Sequence, residues 1–575
     1  MRTSPKDKPW ITPLIKSYIN DRDRAYFSNK SLKYIRLREK VIKEISAAKS
    51  RYLKTNFDKK EPRSIWKAIH GLTGKSKQPS VQADVEALND GFLTSQQVSN
   101  SSYDLQDLIE HLPSSTISVS CEQAIKLLQA IPTKAAGPES VPAWVFRSFS
   151  LALAPAVAKL FTASLSQGIV PQCYKMASIL PIPKGGNCLE FRPISLLPHL
   201  SKALEKIVRS SWLKPVLSHL DPNRFAFTGV PGCGTTTALT SISTSILQHL
   251  DSSSGASRVL MVDFSKAFDK ADHGTILKRL ANLKVPRECL LWIANFLSHR
   301  QQRVSLNGNN SQWKSVKSGV PQGSVLGPPL FAILVSSIVS NYPNVKIVKY
   351  ADDITLICHV RSAADDVLQL ELNALCKWSD KNLFPINFTK AKVLDICTKK
   401  GLCLSPLIGP GGAVIENVSE ARLLGIILAS NLKWNKHVDF MAARARRQIY
   451  AISMLKWSGA PAAILWGTYS ALIRSLLTYA FPAICNMPKT LFEKLGSIER
   501  RVGKIIGAPA PMALSAHTQE LCTRLAAVVA KNARHPLHHL VIPTHRRGRS
   551  SSKYTHPFAH TERFKRSFIH YISLS

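Results

Sequence analysis

Val345-Lys346-Ile347-Val348-Lys349-Tyr350-Ala351-Asp352-Asp353-Ile354-Thr355-Leu356-Ile357 sets two β-prone runs on either side of an acidic pair. Runs of that kind with almost nothing between them spell a tight hairpin with two carboxylates at its tip. Neighbouring carboxylates repel, and in a partly dry site one of them takes up a proton unless a cation lies between them. A divalent metal is the usual answer. The competing reading is a solvated turn, because Asp favours turns, and the rest of the chain has to decide between the two.

At 575 residues the chain is too long for one compact core, so several domains are expected. Its hydrophobic fraction of 45% is that of a globular protein. Lys and Arg number 76 against 37 Asp and Glu, a formal charge of +39 that calls for a polyanionic partner. Nucleic acid leads, because Lys and Arg displace counterions from phosphates. A membrane surface is disfavoured because the basic residues are spread along the whole chain instead of one amphipathic segment. The eleven cysteines form no Cys-x-x-Cys pair and no zinc-knuckle spacing, which favours free thiols in a reducing compartment. The opening Met1-Arg2-Thr3-Ser4-Pro5-Lys6 lacks the apolar run of a signal peptide, and the apolar stretch at 329–339 is too short to span a bilayer. An intracellular protein of nucleus or cytoplasm, without a membrane partner, is expected.

Residues 19–70 lack glycine and are dense in Lys and Arg, with Leu37, Val41, Ile45 and Ala48 at helical spacing; this predicts a basic helix or helical pair. Residues 76–118, richer in Ser, Gln and Asn, read as a connector. Residues 121–128 and 142–165 read as helices, separated by a turn at Lys134-Ala135-Ala136-Gly137-Pro138-Glu139. Met176 to Lys184 looks like a strand whose prolines, Pro181 and Pro183, place it at a sheet edge. The Gly185-Gly186 loop and Phe191-Arg192-Pro193-Ile194-Ser195 then complete a basic hairpin, in which Lys184 and Arg192 could touch a triphosphate or simply carry surface charge. Gly229, Gly232 and Gly234 precede a helix without a Gly-Lys-Ser/Thr, so a P-loop is rejected.

Arg258-Val259-Leu260-Met261-Val262-Asp263-Phe264 reads as a buried strand ending in an aspartate. A carboxylate where a strand leaves its sheet sits on a rigid element and suits chemistry, although an Asp there can also cap the next helix. Capping is the role expected of Asp269 or Asp272. Gly319-Val320-Pro321-Gln322-Gly323-Ser324 then opens a helix with small residues that let a ligand approach, with Gln322 available to hydrogen-bond it.

Taken in order, these pieces resemble the reverse transcriptases of non-LTR, LINE/jockey-type retrotransposons. The matching stretches are Leu180-Pro181-Ile182-Pro183-Lys184, Phe191-Arg192-Pro193-Ile194-Ser195, Val262-Asp263-Phe264-Ser265-Lys266-Ala267-Phe268-Asp269, Gly319-Val320-Pro321-Gln322-Gly323-Ser324 and Tyr350-Ala351-Asp352-Asp353. Asn387-Phe388-Thr389-Lys390 and Leu423-Leu424-Gly425-Ile426 follow. The resemblance implies an RNA-directed DNA polymerase that extends a primer 3′-hydroxyl with dNTPs on an RNA template. Asp263, Asp352 and Asp353 would hold two Mg²⁺ ions, with Mn²⁺ as a substitute. Lys184 and Arg192 would neutralise the triphosphate and Gln322 would contact the nucleotide. Phe268 would lie beneath the sugar and reject a 2′-hydroxyl, besides packing in the core. Lys390 would protonate the departing pyrophosphate, a role that nearby Lys392 could also fill.

Arg224-Phe225-Ala226-Phe227-Thr228-Gly229 follows the family's template-contacting segment only loosely, so no template contact is assigned there. No apurinic-type endonuclease precedes residue 1, and Pro9-Trp10-Ile11-Thr12-Pro13 resembles the start of the family's endonuclease-to-polymerase connector. A fragment, a truncated copy or a gene model begun at an internal Met is the expectation, with a separate or missing endonuclease as one reading. The implied architecture is α+β, a right-hand polymerase with fingers, an antiparallel palm sheet and a helical thumb, flanked by basic helical extensions. The predicted boundaries are 1–112 for the N-terminal extension and linker, 113–428 for fingers and palm with the motif core at about 163–428, 429–510 for the thumb and 511–575 for a basic C-terminal segment. In the thumb a helix after Trp434 would turn Arg444, Arg446 and Arg447 toward nucleic-acid backbone, and Arg546-Arg547-Gly548-Arg549 reads as a basic tail. His535, His538 and His539 lack a neighbouring cysteine pair and are not expected to bind metal. The alternative reading is a catalytically silent, truncated retroelement remnant that binds nucleic acid; an intron-maturase-like enzyme stands well behind it, because the sequence lacks the features its maturation domain would need.

Overall fold

The structure is a computed structural model that describes residues 7–8, 10–58, 83–94, 104–184, 187–217, 219–264, 267–399, 401–457, 459–543 and 554–573. Gly185-Gly186, Ser265-Lys266, Arg546-Arg547-Gly548-Arg549 and parts of the 76–118 connector lie outside the described residues. The chain divides into two compact units, Met1–Ser80 with Trp434–Phe481 and Met487–Leu521, and Val81–Lys433 with Pro482–Asn486 and Cys522–Ser575.

The second unit holds the strands: β1 (Met176–Lys184), β2 (Asn187–Leu196), β3 (Ala256–Val262), β4 (Arg300–Leu306), β5 (Asn309–Asn310), β6 (Lys314–Val316), β7 (Val345–Tyr350), β8 (Asp353–Val360), β9 (Lys392–Cys397), β10 (Glu416–Asn417), β11 (Glu420–Leu423) and β12 (Ile426–Ala429). One sheet runs β2-β1-β4-β5, with β6 also on β4, and a second runs β10-β9-β3-β8-β7. In the second sheet β9, β3, β8 and β7 pair antiparallel, while β10 joins β9 in parallel. The apolar run from Val259 to Val262 lands in the middle strand, and Val259 and Leu260 are fully buried, as a strand covered on both faces requires.

β1 is not an edge strand, contrary to the expectation from its prolines. It lies between β2 and β4, but β4 pairs only with Met176 to Ile179. Pro181 and Pro183 fall beyond that ladder, where β2 is the one strand partner among the described residues, so their missing N–H groups interrupt nothing on the β4 side. The connector also holds more structure than its composition suggests. Asp84 caps a helix, Val85–Leu93, whose Asn89 is buried and bonds Ser311, Gln302 and the Gln312 carbonyl.

The wholly apolar helix Gly327–Val335 lies at the centre of the core, where Phe331 meets Phe384 with ring centroids 5.7 Å apart. Phe264, one residue beyond Asp263, meets the same Phe384 at 4.5 Å. The core therefore grips the chain immediately after the strand-end carboxylate.

The first unit is helical. Thr12 caps Pro13–Phe27, and Trp10, Ile15 and Ala48 close a small core between that helix and Ser31–Asp58. Helix Asn435–Trp457 buries Met441, Ala442, Ala445 and Ile449 and turns Arg444, Arg446 and Arg447 outward, a basic face opposite an apolar one. No helix among the described residues is long and apolar enough to cross a membrane. Every cysteine whose side chain is described is a free thiol.

Candidate active site

The β3–β8 ladder ends at the pair Val262 and Ile354, and the β7–β8 ladder ends at Tyr350 and Asp353. Asp263 directly follows Val262 and Asp353 directly precedes Ile354, so register alone brings the two side by side where the strands leave the sheet. Asp352 occupies the two-residue turn with Ala351, whose φ of 54° is unusual for a residue with a side chain. The turn chemistry is thus set by position and not by a glycine.

The three carboxylates feel one another. Loss of hydration raises the Asp352 carboxyl above its ordinary value and the Asp263 charge adds to this, against a backbone hydrogen bond and the cations Arg192 and Lys390. Asp353 is pushed up to about 6 by loss of hydration, then by Asp352 and Asp263, although its side chain still reaches solvent.

The loop after helix Leu368–Lys381 closes the site from another side. Asn387 donates its backbone N–H to the Asp263 carbonyl at 2.8 Å, and the Lys390 ammonium stands 3.1 Å from the Asp263 carboxylate. Lys392 points elsewhere, 3.2 Å from Glu416. Of the two lysines weighed for one role, only Lys390 faces the carboxylates.

The Gly319–Ser324 loop is braced on two sides. Gly319 has φ 86°, and a Cβ there would lie 2.6 Å from the Asp269 carbonyl oxygen. At Gly323, with φ 118°, a Cβ would meet the Ser195 carbonyl oxygen at 2.7 Å. Main-chain bonds complete the brace, with Val320 donating to Phe268 at 2.8 Å and Ser195 to Gln322 at 2.7 Å. The Gln322 side chain donates to Asp269 at 2.9 Å. Asp269 therefore braces this loop, while Asp272 caps helix His273–Asn282. Phe268 is half-buried and stacks on Phe331 at 4.7 Å. Arg192, exposed opposite Ile182, is close enough for its charge to act on Asp352. Lys184 stands at the hairpin tip, 3.7 Å from Glu190.

Among the described residues no group of three His, Cys, Asp or Glu side chains is arranged to hold a metal ion. The donor chemistry nonetheless fits a hard divalent cation. Three oxygen-donor carboxylates crowd one sheet end, their charges oppose each other, and the Lys390 ammonium partly offsets them.

Two residues escaped the sequence reading. Asp269 or Asp272 was expected to cap a helix; Asp272 does, while the grip of Asp269 on Gln322 depends on a contact 53 positions away. Lys349 was part of a β-prone run, yet its side chain is only 1% exposed. A charged residue among Ile347, Val348 and Tyr350 was the available signal.

The family described as reverse transcriptase (RNA-dependent DNA polymerase) matches residues 182–428. The RNA-directed DNA polymerase from mobile element jockey of Drosophila melanogaster is 27% identical over 414 residues, covering 68% of this chain and 44% of the relative. A probable RNA-directed DNA polymerase from transposon BS of the same species is 27% identical, covering 58% of this chain and 38% of its own length. The chain thus spans less than half the length of these curated relatives. Over residues 182–428 the chain is similar to the reverse transcriptase family, and over a longer stretch to the RNA-directed DNA polymerases of mobile element jockey and transposon BS.

Proposed function

We propose that this protein extends a primer 3′-hydroxyl with dNTPs on an RNA template, as the RNA-directed DNA polymerase of a non-LTR retrotransposon. The observation that carries the reading is the meeting of Asp263 with Asp352 and Asp353 at one sheet end, with Lys390 on Asp263. In this reading the β10-β9-β3-β8-β7 sheet is the palm, the β1–β2 hairpin belongs to the fingers and residues 429–510 form the thumb. The chain would work within a ribonucleoprotein in the nucleus or cytoplasm.

Asp263, Asp352 and Asp353 would hold divalent cations, Mg²⁺ in a pair, which supply charge stabilisation for in-line phosphoryl transfer. Asp263 and Asp353 orient their oxygens through strand register, and Asp352 through the turn. Lys390 holds a proton within reach of this centre and can give it to a departing pyrophosphate oxygen. Arg192 and Lys184 offset triphosphate charge from the hairpin. Gln322, kept in place by Asp269, meets the nucleotide, and Phe268, backed by Phe331, limits room beneath the sugar.

The test is extension of a primed RNA template by the purified chain with dNTPs and Mg²⁺. Asp352→Asn should abolish extension while leaving RNA binding in place. Undiminished extension by that variant would sink the site assignment. Salt-sensitive RNA binding without any extension by the unaltered chain would point to the silent nucleic-acid-binding remnant instead.

A further inference from the structure

β7 is the last strand of its sheet, so its outer edge would be left with unpaired backbone groups. A short segment of chain covers it. Lys349 donates its N–H to the Asn223 carbonyl at 3.0 Å, and its own carbonyl accepts from Phe225 at 2.9 Å, with Arg224 bridged in parallel between them. Arg224 is itself buried and bonds the Leu217 carbonyl at 2.9 Å. The arginine of the 224–229 stretch is therefore engaged inside the protein.

The Lys349 side chain makes a second attachment on the same strand. Its ammonium donates to the carbonyls of Ile338 at 2.5 Å, Val335 at 3.2 Å and Ser336 at 3.4 Å, and forms an ion pair with Asp221. Val335 ends helix Gly327–Val335, where carbonyls lack intrahelical donors and the helix dipole is negative. A buried ammonium is stable only with such partners, and burial alone would depress its proton affinity. Four oxygen partners from two separate parts of the chain therefore converge on one nitrogen three positions before Asp352.

We infer that Lys349, with Asp221, is a positioning residue that locks the β7–β8 hairpin against the end of helix Gly327–Val335 and the 221–225 segment, fixing the height of Asp352 and Asp353 relative to Asp263. A strand held by main-chain bonds alone can slide or tilt, whereas a side chain anchored at right angles to the strand opposes both motions. The kinetic part of this inference rests on the polymerase reading; the structural part does not.

The experiment compares Lys349→Met, Lys349→Arg and Asp221→Asn with the unaltered chain. Lys349→Met keeps most of the volume and removes the charge. It should lower kcat for primer extension by about tenfold to a hundredfold, the scale of a misplacement near 1 Å. KM for dNTP and affinity for a primed RNA template should stay within about threefold, since Lys349 touches neither in this placement. Asp221→Asn leaves the ammonium on its carbonyls and should show a smaller loss of the same kind. In amide hydrogen exchange, Lys349→Met should speed exchange in β7 and β8 but not in the β1–β2 hairpin. Unchanged kcat with unchanged exchange in β7–β8 would overturn the inference. So would faster exchange spread equally over both hairpins, because that marks a general loss of stability. If Lys349→Met does not fold, Asp221→Asn and Lys349→Arg decide by the same readouts. Should the unaltered chain fail to extend any primer, the polymerase reading falls while the exchange comparison still decides the tether.

Discussion

Lys390 and Lys392 lie two positions apart, and no local pattern separates their roles. Placement does: Lys390 stands 3.1 Å from Asp263, Lys392 3.2 Å from Glu416 across the β9–β10 pair. Lys390→Ala should therefore cut kcat for primer extension by about a hundredfold, the usual scale for losing a proton donor. Lys392→Ala, which removes an exposed ion pair, should change kcat little and stability by less than about 1 kcal/mol. Equal effects of the two substitutions in steady-state extension assays would refute the distinction. The carboxylates themselves were legible because acidic residues at a strand end and at a hairpin tip are local features. Loss of hydration is the first cause of the rise of Asp353 to about 6; the repulsion that adds to it was expected from adjacency to Asp352, and the share due to Asp263 follows only from the β3–β8 register.

Elements carry the site through two braces. In the middle of β3, Arg258 is 1% exposed and bonds Asp395 on β9 at 2.9 Å, Asp366 at 2.5 Å and the Ser405 carbonyl at 2.8 Å. Arg258→Met leaves two carboxylates in a largely dry place without their cation, which should cost about 3–5 kcal/mol in urea unfolding. The Gly319 loop is the other brace. Gly319→Ala forces a side chain into a positive-φ site and against the Asp269 backbone. It should cost about 1–3 kcal/mol and raise KM for dNTP by displacing Gln322, measured by thermal unfolding and steady-state kinetics on the same preparation. Neither brace was legible in full. The glycines announced a turn, but the reason only glycine fits is a carbonyl oxygen contributed by another segment. The prolines of β1 announced a sheet edge, and what they mark instead is the point where β4 ends.

At the level of the whole molecule, charge and buried histidines give two measurable responses. A formal charge of +39 predicts RNA binding that weakens steeply with salt, with a slope of log K against log salt of about −4 or steeper if six or more phosphates of a single strand are neutralised. A flat salt dependence in filter-binding or anisotropy titrations would contradict it. Stability should also depend on pH through His359. Its ring stacks on His249 at 4.5 Å and bonds Ser245 and Ser257. Burial, followed by the neighbouring His249 and the Lys346 of β7, lowers it to about 4. Because the folded value lies below the unfolded one, its unfavourable contribution is absent above pH about 6.5 and grows as pH falls toward about 4, where the unfolded chain binds the extra proton first. Urea midpoints should therefore drop across that window. His359→Asn should flatten the part of the drop due to this residue.

Sequence by itself determined the hairpin, the strand-end aspartate, the basic character of the helices and the order of the motifs. All of these rest on periodicity, turn chemistry and composition within a few residues of one another. Tertiary structure decided which lysine faces the carboxylates, that Asp269 holds Gln322, that β1 has two neighbours and that Lys349 is buried. Each of those depends on a partner elsewhere in the chain, tens of residues away or more, and a short window of sequence carries no information about what will be folded against it.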